Sequence, residues 1–251
     1  MRRAVEVIGE ENINQKILVD GGSNDLTTLI GRRLGWKVYT SKPGIPYQAN
    51  KALSFVESEY FVSLEHDILL NKDWWQKIPE HLKKTGVSVS QGIHISSNPT
   101  LKKLDMFLID EGKIKHDCYG ISIDNTIYRT DDIRDVGGFP VNCMISPDRE
   151  LRDSLIAANK KWFIDWTVRS VHLKGSIWEN MKHDFRATRL TTRRHRTGAH
   201  SDKLKLWGVI PFSEFFYEMK YVKDPRLIPY FVSHKLGMVL GFFKRRALTI
   251  Y

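Results

Sequence analysis

The stretch Tyr60-Phe-Val-Ser-Leu-Glu-His-Asp-Ile-Leu-Leu70 decides how this chain is interpreted. Its first five residues predict a buried strand, which runs directly into two acids. A buried carboxylate without a partner is costly, so acids at a strand end usually lie where a sheet opens into a cleft and a cation meets them. Because strand side chains alternate, Glu65 and Asp67 are expected on one side and His66 on the other. The pair suits a divalent ion that also holds phosphate oxygens, and the alternative is a solvated acidic turn.

A second junction of strand and turn lies upstream. Residues 15–20 predict a short strand, Gly21-Gly22-Ser23-Asn24-Asp25 a turn, and residues 26–30 the start of a helix. Such a turn exposes backbone N–H groups to a ligand, and Asp20 at the strand tip can accept a hydrogen bond from a base or ribose. An ordinary turn in which Ser23 or Asn24 caps the next helix explains the same pattern.

The downstream segment repeats the combination of strand, glycine break and acid. Residues 125–129 predict a strand, and Gly137-Gly138-Phe139-Pro140 a break. Pro147-Asp148-Arg149-Glu150 predict the start of a helix that continues to Ala158, with Leu151, Leu155 and Ala158 on one face. Proline and acids are both favoured in the first turn of a helix. Asp148 is therefore either an acid aimed at the cleft or a residue that only complements the helix dipole.

The motifs, and their order along the chain, resemble those of the family 2 glycosyltransferases of the GT-A type, and the resemblance extends over most of residues 1–180. Val19-Asp20-Gly-Gly-Ser-Asn-Asp25 resembles the family's nucleotide-binding turn, and Glu65-His66-Asp67 lies where its Asp-x-Asp metal motif is found. Gly137-Gly138-Phe139 followed by Asp148 resembles the next landmark, in which an Asp is the usual catalytic base. Val171-His172-Leu-Lys-Gly-Ser176 resembles a later segment whose His binds the metal or the diphosphate in some members.

The resemblance implies a metal-dependent, inverting transfer of a sugar from a nucleotide-diphosphate donor to an acceptor hydroxyl, on a lipid-linked or cell-envelope glycan. The implied cofactor is Mg²⁺ or Mn²⁺, held by Glu65, Asp67 and His172, and the implied base is Asp148. The residues expected to meet the donor nucleotide are Asp20, Gly22, Ser23, Asp25, Asn50, Lys51 and His66. These roles suit the chemistry, because such a transfer needs a base at the acceptor and a cation on the leaving diphosphate.

Two of these assignments have a second interpretation. Residues 43–53 resemble a family loop that opens a helix beneath the nucleotide, but a capped helix with Lys51 in solvent gives the same pattern. A histidine after an apolar strand, such as His172, is as often structural as it is a ligand.

The sequence also departs from the family pattern. Residues 1–8 predict a helix where the family begins with a strand, so the sheet is expected to lack its usual first strand. The loss of a central strand would expose the backbone of its neighbours and cost several kcal/mol, which motivates an alternative function as an inactive glycosyltransferase-like scaffold. Glu65 stands where Asp is usual, and Pro147 where Glu is usual.

The pattern predicts an α/β fold: a GT-A type, mostly parallel sheet flanked by helices, with a basic and apolar helical appendage. The expected domains are residues 1–180 for nucleotide-sugar transfer and 181–251 for the appendage. At 251 residues and 41% hydrophobic content the chain can bury a sizeable core. Cys118 and Cys143 have no metal-site spacing and no secretory signal heads the chain, so a reducing, cytoplasmic location is predicted.

The net charge of +10 is concentrated near the carboxyl end, in residues 182–205 and 244–246. Between these basic runs lie the apolar segments 206–212, 215–217 and 227–243, which are too short or too interrupted to predict a membrane span. They suit helices in a membrane interface, peripheral at the inner face of the cell membrane, with cations facing anionic lipid. The alternative is a helical subdomain packed on the core.

A nucleic-acid-binding protein is the rival from another class, because the chain is basic and its cations lie near aromatic residues. That function explains the charge but not the acids, since Glu65, Asp67 and Asp148 would repel phosphate unless a metal intervened. The sequence therefore predicts a nucleotide-sugar partner and no nucleic acid.

Overall fold

The computed structural model describes residues 1–115, 121–143, 147–197 and 213–243. The apolar segment 206–212, the basic segment 244–246 and Cys118 lie outside the described residues. The chain divides into two compact units. Unit 1 comprises Met1–Ile95 and Gly112–Leu173, and unit 2 comprises Ser96–Glu111 and Lys174–Tyr251.

Helices and strands alternate along unit 1. The helices are α1 (Arg2–Ile8), α2 (Thr27–Arg33), α3 (Ile45–Leu53), α4 (Trp74–Lys77), α6 (Thr130–Asp135) and α7 (Pro147–Ala157), while α5 (Pro99–Lys115) has residues in both units. The strands are β1 (Ile17–Asp20), β2 (Lys37–Thr40), β3 (Tyr60–Ser63), β4 (Ile68–Leu69), β5 (Val87–Ser96), β6 (Thr126–Arg129) and β7 (Lys161–His172). Short 3₁₀ helices cover Glu10–Asn12 and Pro79–Lys83. The predicted α/β class, with helices flanking a central sheet, is confirmed.

The prediction of a mostly parallel sheet is wrong in its strand directions. Strands β1 and β2 form a parallel pair, but β3 with β6, β5 with β6, and β4 with β7 are all antiparallel. The larger sheet has the order β3-β6-β5-β7-β4 and is therefore mixed or antiparallel rather than mostly parallel. The hydrophobic pattern could not reveal this, because a buried strand is the same apolar run whichever way its neighbours point.

The strands of unit 1 form two separate sheets. Among the described residues no strand precedes Ile17, as the sequence predicts, and β1 and β3 belong to different sheets. A cavity of about 380 Å³ lies where they come near each other, and Ile8, Ile17, Tyr60 and Val62 help to line it. Helix α1, rather than a strand, lines part of this cavity.

Two apolar clusters hold the larger sheet between helices. One surrounds the fully buried Trp74 and Ile78, and the other surrounds Tyr128 and Phe139. Helix α7 contributes Leu151 and Leu155 to the second cluster, which confirms the apolar face predicted for it. The helix ends at Ala157, and the predicted third member of that face, Ala158, is exposed.

Unit 2 is built from α8 (Ile177–Thr197), α9 (Ser213–Val222), α10 (Leu227–Phe243) and the first part of α5. Helices α8 and α10 pack closely at Gly237 and Gly241, where a β-carbon would collide with the α8 backbone. His234 of α10 also bonds Asp184 of α8 at 2.9 Å. None of the described helices has the length and apolar content needed to cross a membrane.

Candidate active site

The turn after β1 is shaped by Asp20. This carboxylate is buried, and its Oδ2 accepts hydrogen bonds from the backbone N–H groups of Gly22 at 2.8 Å and Ser23 at 2.9 Å. Hydrogen bonds from the Ser23 side chain and the Gly22 backbone lower the pKa of Asp20, so its charged form is favoured. Gly22 has a φ of 101° and open space beside it. The end of β1 therefore carries an ionised carboxylate beside a glycine with open space around it.

The next helix is capped neither by Ser23 nor by Asn24. Instead Asp25 Oδ1 accepts a hydrogen bond from the Thr27 backbone N–H at 2.9 Å. Hydrogen bonds from the Thr27 side chain and backbone lower the pKa of the exposed Asp25. Asp20 thus fixes the backbone conformation of the turn, and Asp25 accepts a hydrogen bond from the first residue of α2.

Asn50 and Lys51, both predicted to touch the donor, have different surroundings. The Asn50 side chain donates to the Phe139 carbonyl at 2.7 Å and accepts from the Phe139 N–H at 2.8 Å. Lys51 is exposed and lies 5.0 Å from the centre of the Phe55 ring. The structure gives Asn50 a bracing position against the Gly137-Gly138-Phe139 turn, and donor contact by either residue stays a prediction.

The acids after β3 lie beside the end of β7. Strand β3 ends at Ser63, so a turn rather than the strand pleat carries Glu65 and Asp67. Ile68 of β4 pairs with His172 of β7, and this register brings the His172 Nε2 to 3.0 Å from Asp67 Oδ2. One ligand atom each from Glu65, Asp67 and His172 lies within 4.8 Å of the other two. The structure thus joins three residues that the sequence assigned to one metal.

This cluster fits a divalent cation. Asp67 Oδ1 is buried and has no hydrogen-bond partner among the described residues. The hydrogen bond from His172 lowers the pKa of Asp67 despite the opposing effect of burial, so the carboxylate is present as an anion. Oxygen and imidazole donors with unused lone pairs suit Mn²⁺ well, and Mg²⁺ through the oxygens. His66, in contrast, is exposed and outside the cluster.

Two residues that the sequence analysis missed lie next to the cluster. Asp124, just before β6, is 3% exposed, and His94 of β5 lies with its Nδ1 3.9 Å from Asp124 Oδ2. Burial and, to a smaller extent, the negative charge of Glu65 raise the pKa of Asp124 to about 7. The antiparallel pairing of Gln91 with Thr126 brings these segments together. The sequence contained one signal for Asp124, because this residue, like Asp67, is an acid next to an apolar strand. Its position beside His94 follows only from the register of β5 and β6.

Asp148 lies in the first turn of α7. Its Oδ1 accepts from the Arg149 backbone N–H at 2.9 Å, and burial raises its pKa. Burial also raises the pKa of Tyr128, and the charges of Asp124 and Asp148 raise it further, so both acids lie within electrostatic reach of one phenol. An acid with a raised pKa is a better proton acceptor once it is ionised. The position is compatible with a base beside the cluster, although a helix-start residue would lie there too.

The family model described as Glycosyl transferase family 2 matches residues 8–144, which is more than half of the chain. No curated protein matches the sequence significantly. A solved mannosyltransferase from Pyrobaculum calidifontis, in complex with GDP-Man and Mn²⁺, is similar in fold, with a TM-score of 0.53 and 15% identity. The alignment covers 87% of this chain and only 63% of the mannosyltransferase.

A second solved structure has a similar fold. It is glucosyl-3-phosphoglycerate synthase from Mycobacterium tuberculosis, in complex with Mn²⁺, UDP-glucose and phosphoglyceric acid. Its TM-score is 0.55 at 12% identity, over 81% of this chain and 75% of the synthase. At such identities the likeness establishes the GT-A fold and leaves the substrates open.

Proposed function

This chain belongs to glycosyl transferase family 2, and on that premise we propose that it transfers a sugar from a nucleotide-diphosphate donor to an acceptor hydroxyl with inversion and with a divalent cation. The observation that carries the proposal is the convergence of Glu65, Asp67 and His172 at the end of β3. Two structures with this fold were solved with Mn²⁺ and with GDP-Man or UDP-glucose, which supports this cation and a purine or pyrimidine nucleotide donor.

The residues of the cluster would hold Mn²⁺ or Mg²⁺ through carboxylate oxygens and one imidazole nitrogen. When bound, the cation neutralises charge on the leaving diphosphate. Asp20, Gly22 and Ser23 would meet the nucleoside, because their turn presents an ionised carboxylate and an open backbone at a strand end. Asp25, Asn50, Lys51 and His66 would also contact the donor.

Asp148 would act as the base. Its carboxylate takes the proton of the acceptor hydroxyl while the hydroxyl oxygen bonds to the anomeric carbon. The bond from that carbon to the diphosphate oxygen breaks, and the electron pair leaves with the diphosphate. Because the new bond forms on the face opposite to the one that breaks, the configuration inverts. Burial around Asp148 makes the carboxylate more basic than an exposed one.

The test compares Asp148→Asn with the control Glu150→Gln, which replaces another acid in the same helical turn. The assay is release of nucleoside diphosphate from a panel of UDP- and GDP-sugars, with envelope lipid extract as acceptor. We expect Asp148→Asn to lower turnover about 10²- to 10⁴-fold without loss of nucleotide affinity, and the control to stay active. Equal activity of the two variants would remove Asp148 as the base. Nucleotide binding without turnover by the wild-type chain on any donor would favour the inactive scaffold.

We also propose that unit 2 contacts an anionic membrane at the cytoplasmic face, where a lipid-linked acceptor would be found. Helix α10 exposes an apolar stripe at helical spacing: Ile228, Val232, Leu236, Leu240 and Phe243. Helix α8, packed on the other side of α10, exposes cations such as Lys182 and Arg186. An apolar stripe with nearby cations suits a helix lying in a membrane interface.

Vesicle flotation tests this contact with the full chain. Leu236→Gln should weaken binding to vesicles that contain phosphatidylglycerol, whereas Ile156→Gln on α7, whose side chain is also 50% exposed, should not. Binding that both substitutions leave intact, or equal binding to neutral phosphatidylcholine vesicles, would contradict the contact.

A further inference from the structure

A second set of metal-binding side chains shares His172 with the cluster described above. One ligand atom each from His94, Asp124 and His172 lies within 4.8 Å of the other two. The His94 and His172 rings meet edge to face, with centroids 4.9 Å apart and planes at 88°. Neither His94 nor Asp124 belongs to the nucleotide turn, to the Glu-His-Asp turn, or to α7.

We propose that His94, Asp124 and His172 form a second cation site, for a borderline transition-metal ion such as Zn²⁺, which competes with the nucleotide-linked cation for the His172 ring. Occupation of the site would inhibit the transferase. The inhibition rests on the proposed function, whereas the site itself does not.

The spacing of the donor atoms suits a small ion. Zinc bonds to nitrogen and oxygen are about 2.0–2.2 Å long, so two ligands of a tetrahedral ion are roughly 3.4 Å apart. His94 Nδ1 and Asp124 Oδ2 lie 3.9 Å apart. This distance is too long for a hydrogen bond, and a movement of a few tenths of an ångström would bring both atoms onto one ion.

The hydrogen bond of His172 leaves one ring nitrogen for a metal. Asp67, an anionic acceptor, faces Nε2, so that nitrogen carries the proton and donates to the carboxylate at 3.0 Å. In the neutral ring Nδ1 then holds the lone pair, and this atom is buried without a hydrogen-bond partner among the described residues. Metal-binding histidines commonly donate their other ring N–H to a carboxylate in this way.

Burial and charge favour a cation beside Asp124. Its side chain is 3% exposed, and the carboxylates of Glu65 and Asp67 act unfavourably on its negative charge. A cation between Asp124 and two imidazoles would offset this cost, since buried charges are normally paired or bound to a metal. Two imidazoles and one carboxylate favour zinc and similar transition metals, while Mg²⁺ prefers oxygen ligands.

The two donor sets are mutually exclusive at His172. A neutral imidazole has a single free lone pair, on one nitrogen or the other. Asp67 faces Nε2, so we assign this nitrogen to the set with Glu65 and Asp67, and the buried Nδ1 to the set with His94 and Asp124. A cation at either nitrogen therefore requires the proton at the other. Each ion excludes the other through this tautomer.

Zn²⁺ affinity, measured by competition with a chromogenic chelator in the presence of a phosphine reductant, tests the site on the full chain. We expect Asp124→Asn and His94→Gln each to weaken binding at least about tenfold. Glu65→Gln, which removes a ligand of the first donor set and a negative charge near Asp124, should weaken it less than either of these variants. His183→Gln, at an exposed histidine of α8, should leave it unchanged. Thermal melts establish whether each variant folds. If Asp124→Asn does not fold, the test depends on His94→Gln.

Absence of Zn²⁺ binding to the wild-type chain would overturn the proposal, and so would loss of binding in Glu65→Gln with retention in His94→Gln. The competition is measured separately, as the effect of Zn²⁺ on Mn²⁺-dependent binding of UDP or GDP. Zn²⁺ should weaken nucleotide binding to the wild-type chain and have less effect on His94→Gln, and equal effects on both would refute the competition. If neither nucleotide binds at all, the proposed function fails while the chelator result still decides the zinc site.

Discussion

The brace between Asn50 and Phe139 gives a prediction that separates a structural residue from a nucleotide contact. Asn50→Ala removes two side-chain hydrogen bonds, of 2.7 and 2.8 Å, that hold the backbone of Phe139. Phe139 is 2% exposed, so its N–H and carbonyl groups would find little water in exchange. Each bond contributes about 1 kcal/mol net, and the unpaired backbone groups raise the total loss to about 2–4 kcal/mol.

For a chain of this size 1 kcal/mol corresponds to roughly 2–4 °C in melting temperature, so Asn50→Ala should melt about 4–16 °C below the wild type. Lys51→Ala is the matched control, because this neighbouring side chain is exposed and should change stability by less than about 0.5 kcal/mol. Asn50→Asp should fall between the two, since it keeps the acceptor for the Phe139 N–H and loses the donor for the carbonyl.

The assays are thermal and urea unfolding of all four proteins, together with calorimetric affinities for UDP and GDP in the presence of Mn²⁺. The bracing role predicts a clear loss of stability in Asn50→Ala. Unchanged stability with a large loss of nucleotide affinity would refute this reasoning and make Asn50 a direct donor contact, as the family resemblance implies.

Three further predictions concern pH and backbone conformation. Because burial raises the pKa of Asp148, kcat/KM should fall with decreasing pH already above the usual range of an aspartate, and this acid limb should be absent from the residual activity of Asp148→Asn. The pKa of Asp132 is lowered because its hydrogen bond from Lys160 and other contacts outweigh burial, so its stabilisation is present above the ordinary value of 3.8 and is lost as pH falls through the folded pKa; urea unfolding should therefore show a smaller acid loss of stability in Asp132→Asn than in the wild type. Gly137 and Gly138 both have positive φ, but only at Gly138 would a β-carbon collide with the bracing asparagine; Gly138→Ala should thus lower the melting temperature more than Gly137→Ala, which should cost about 1–2 kcal/mol, and the reverse order would contradict the model of this turn.

Much of the local structure could be predicted from the sequence. The helix at the amino end, the strand before Glu65, the helix that begins at Pro147 and the strand that ends at His172 are all present. Each of these depends on hydrophobic periodicity and on residues that start or stop an element, which are local properties.

The rest depends on contacts between distant parts of the chain. Asp67 and His172 are 105 residues apart in sequence, and Asn50 and Phe139 are 89 apart. Family resemblance suggested the first pair, but nothing local indicated that Asn50 would bind backbone. The position of Asp124 beside the cluster follows from the antiparallel register of β5 and β6, which an apolar pattern does not encode.

The central claim is that Asp67 helps to hold a divalent cation on which nucleotide binding depends. Calorimetric titration of the wild-type chain, Asp67→Asn and the exposed control Asp131→Asn with UDP, GDP and dTDP, each with and without Mn²⁺, tests it most directly. We expect one nucleotide to bind the wild type and the control only when Mn²⁺ is present, and Asp67→Asn to lose this binding. Binding that is independent of Mn²⁺, or that survives unchanged in a folded Asp67→Asn variant, would contradict it.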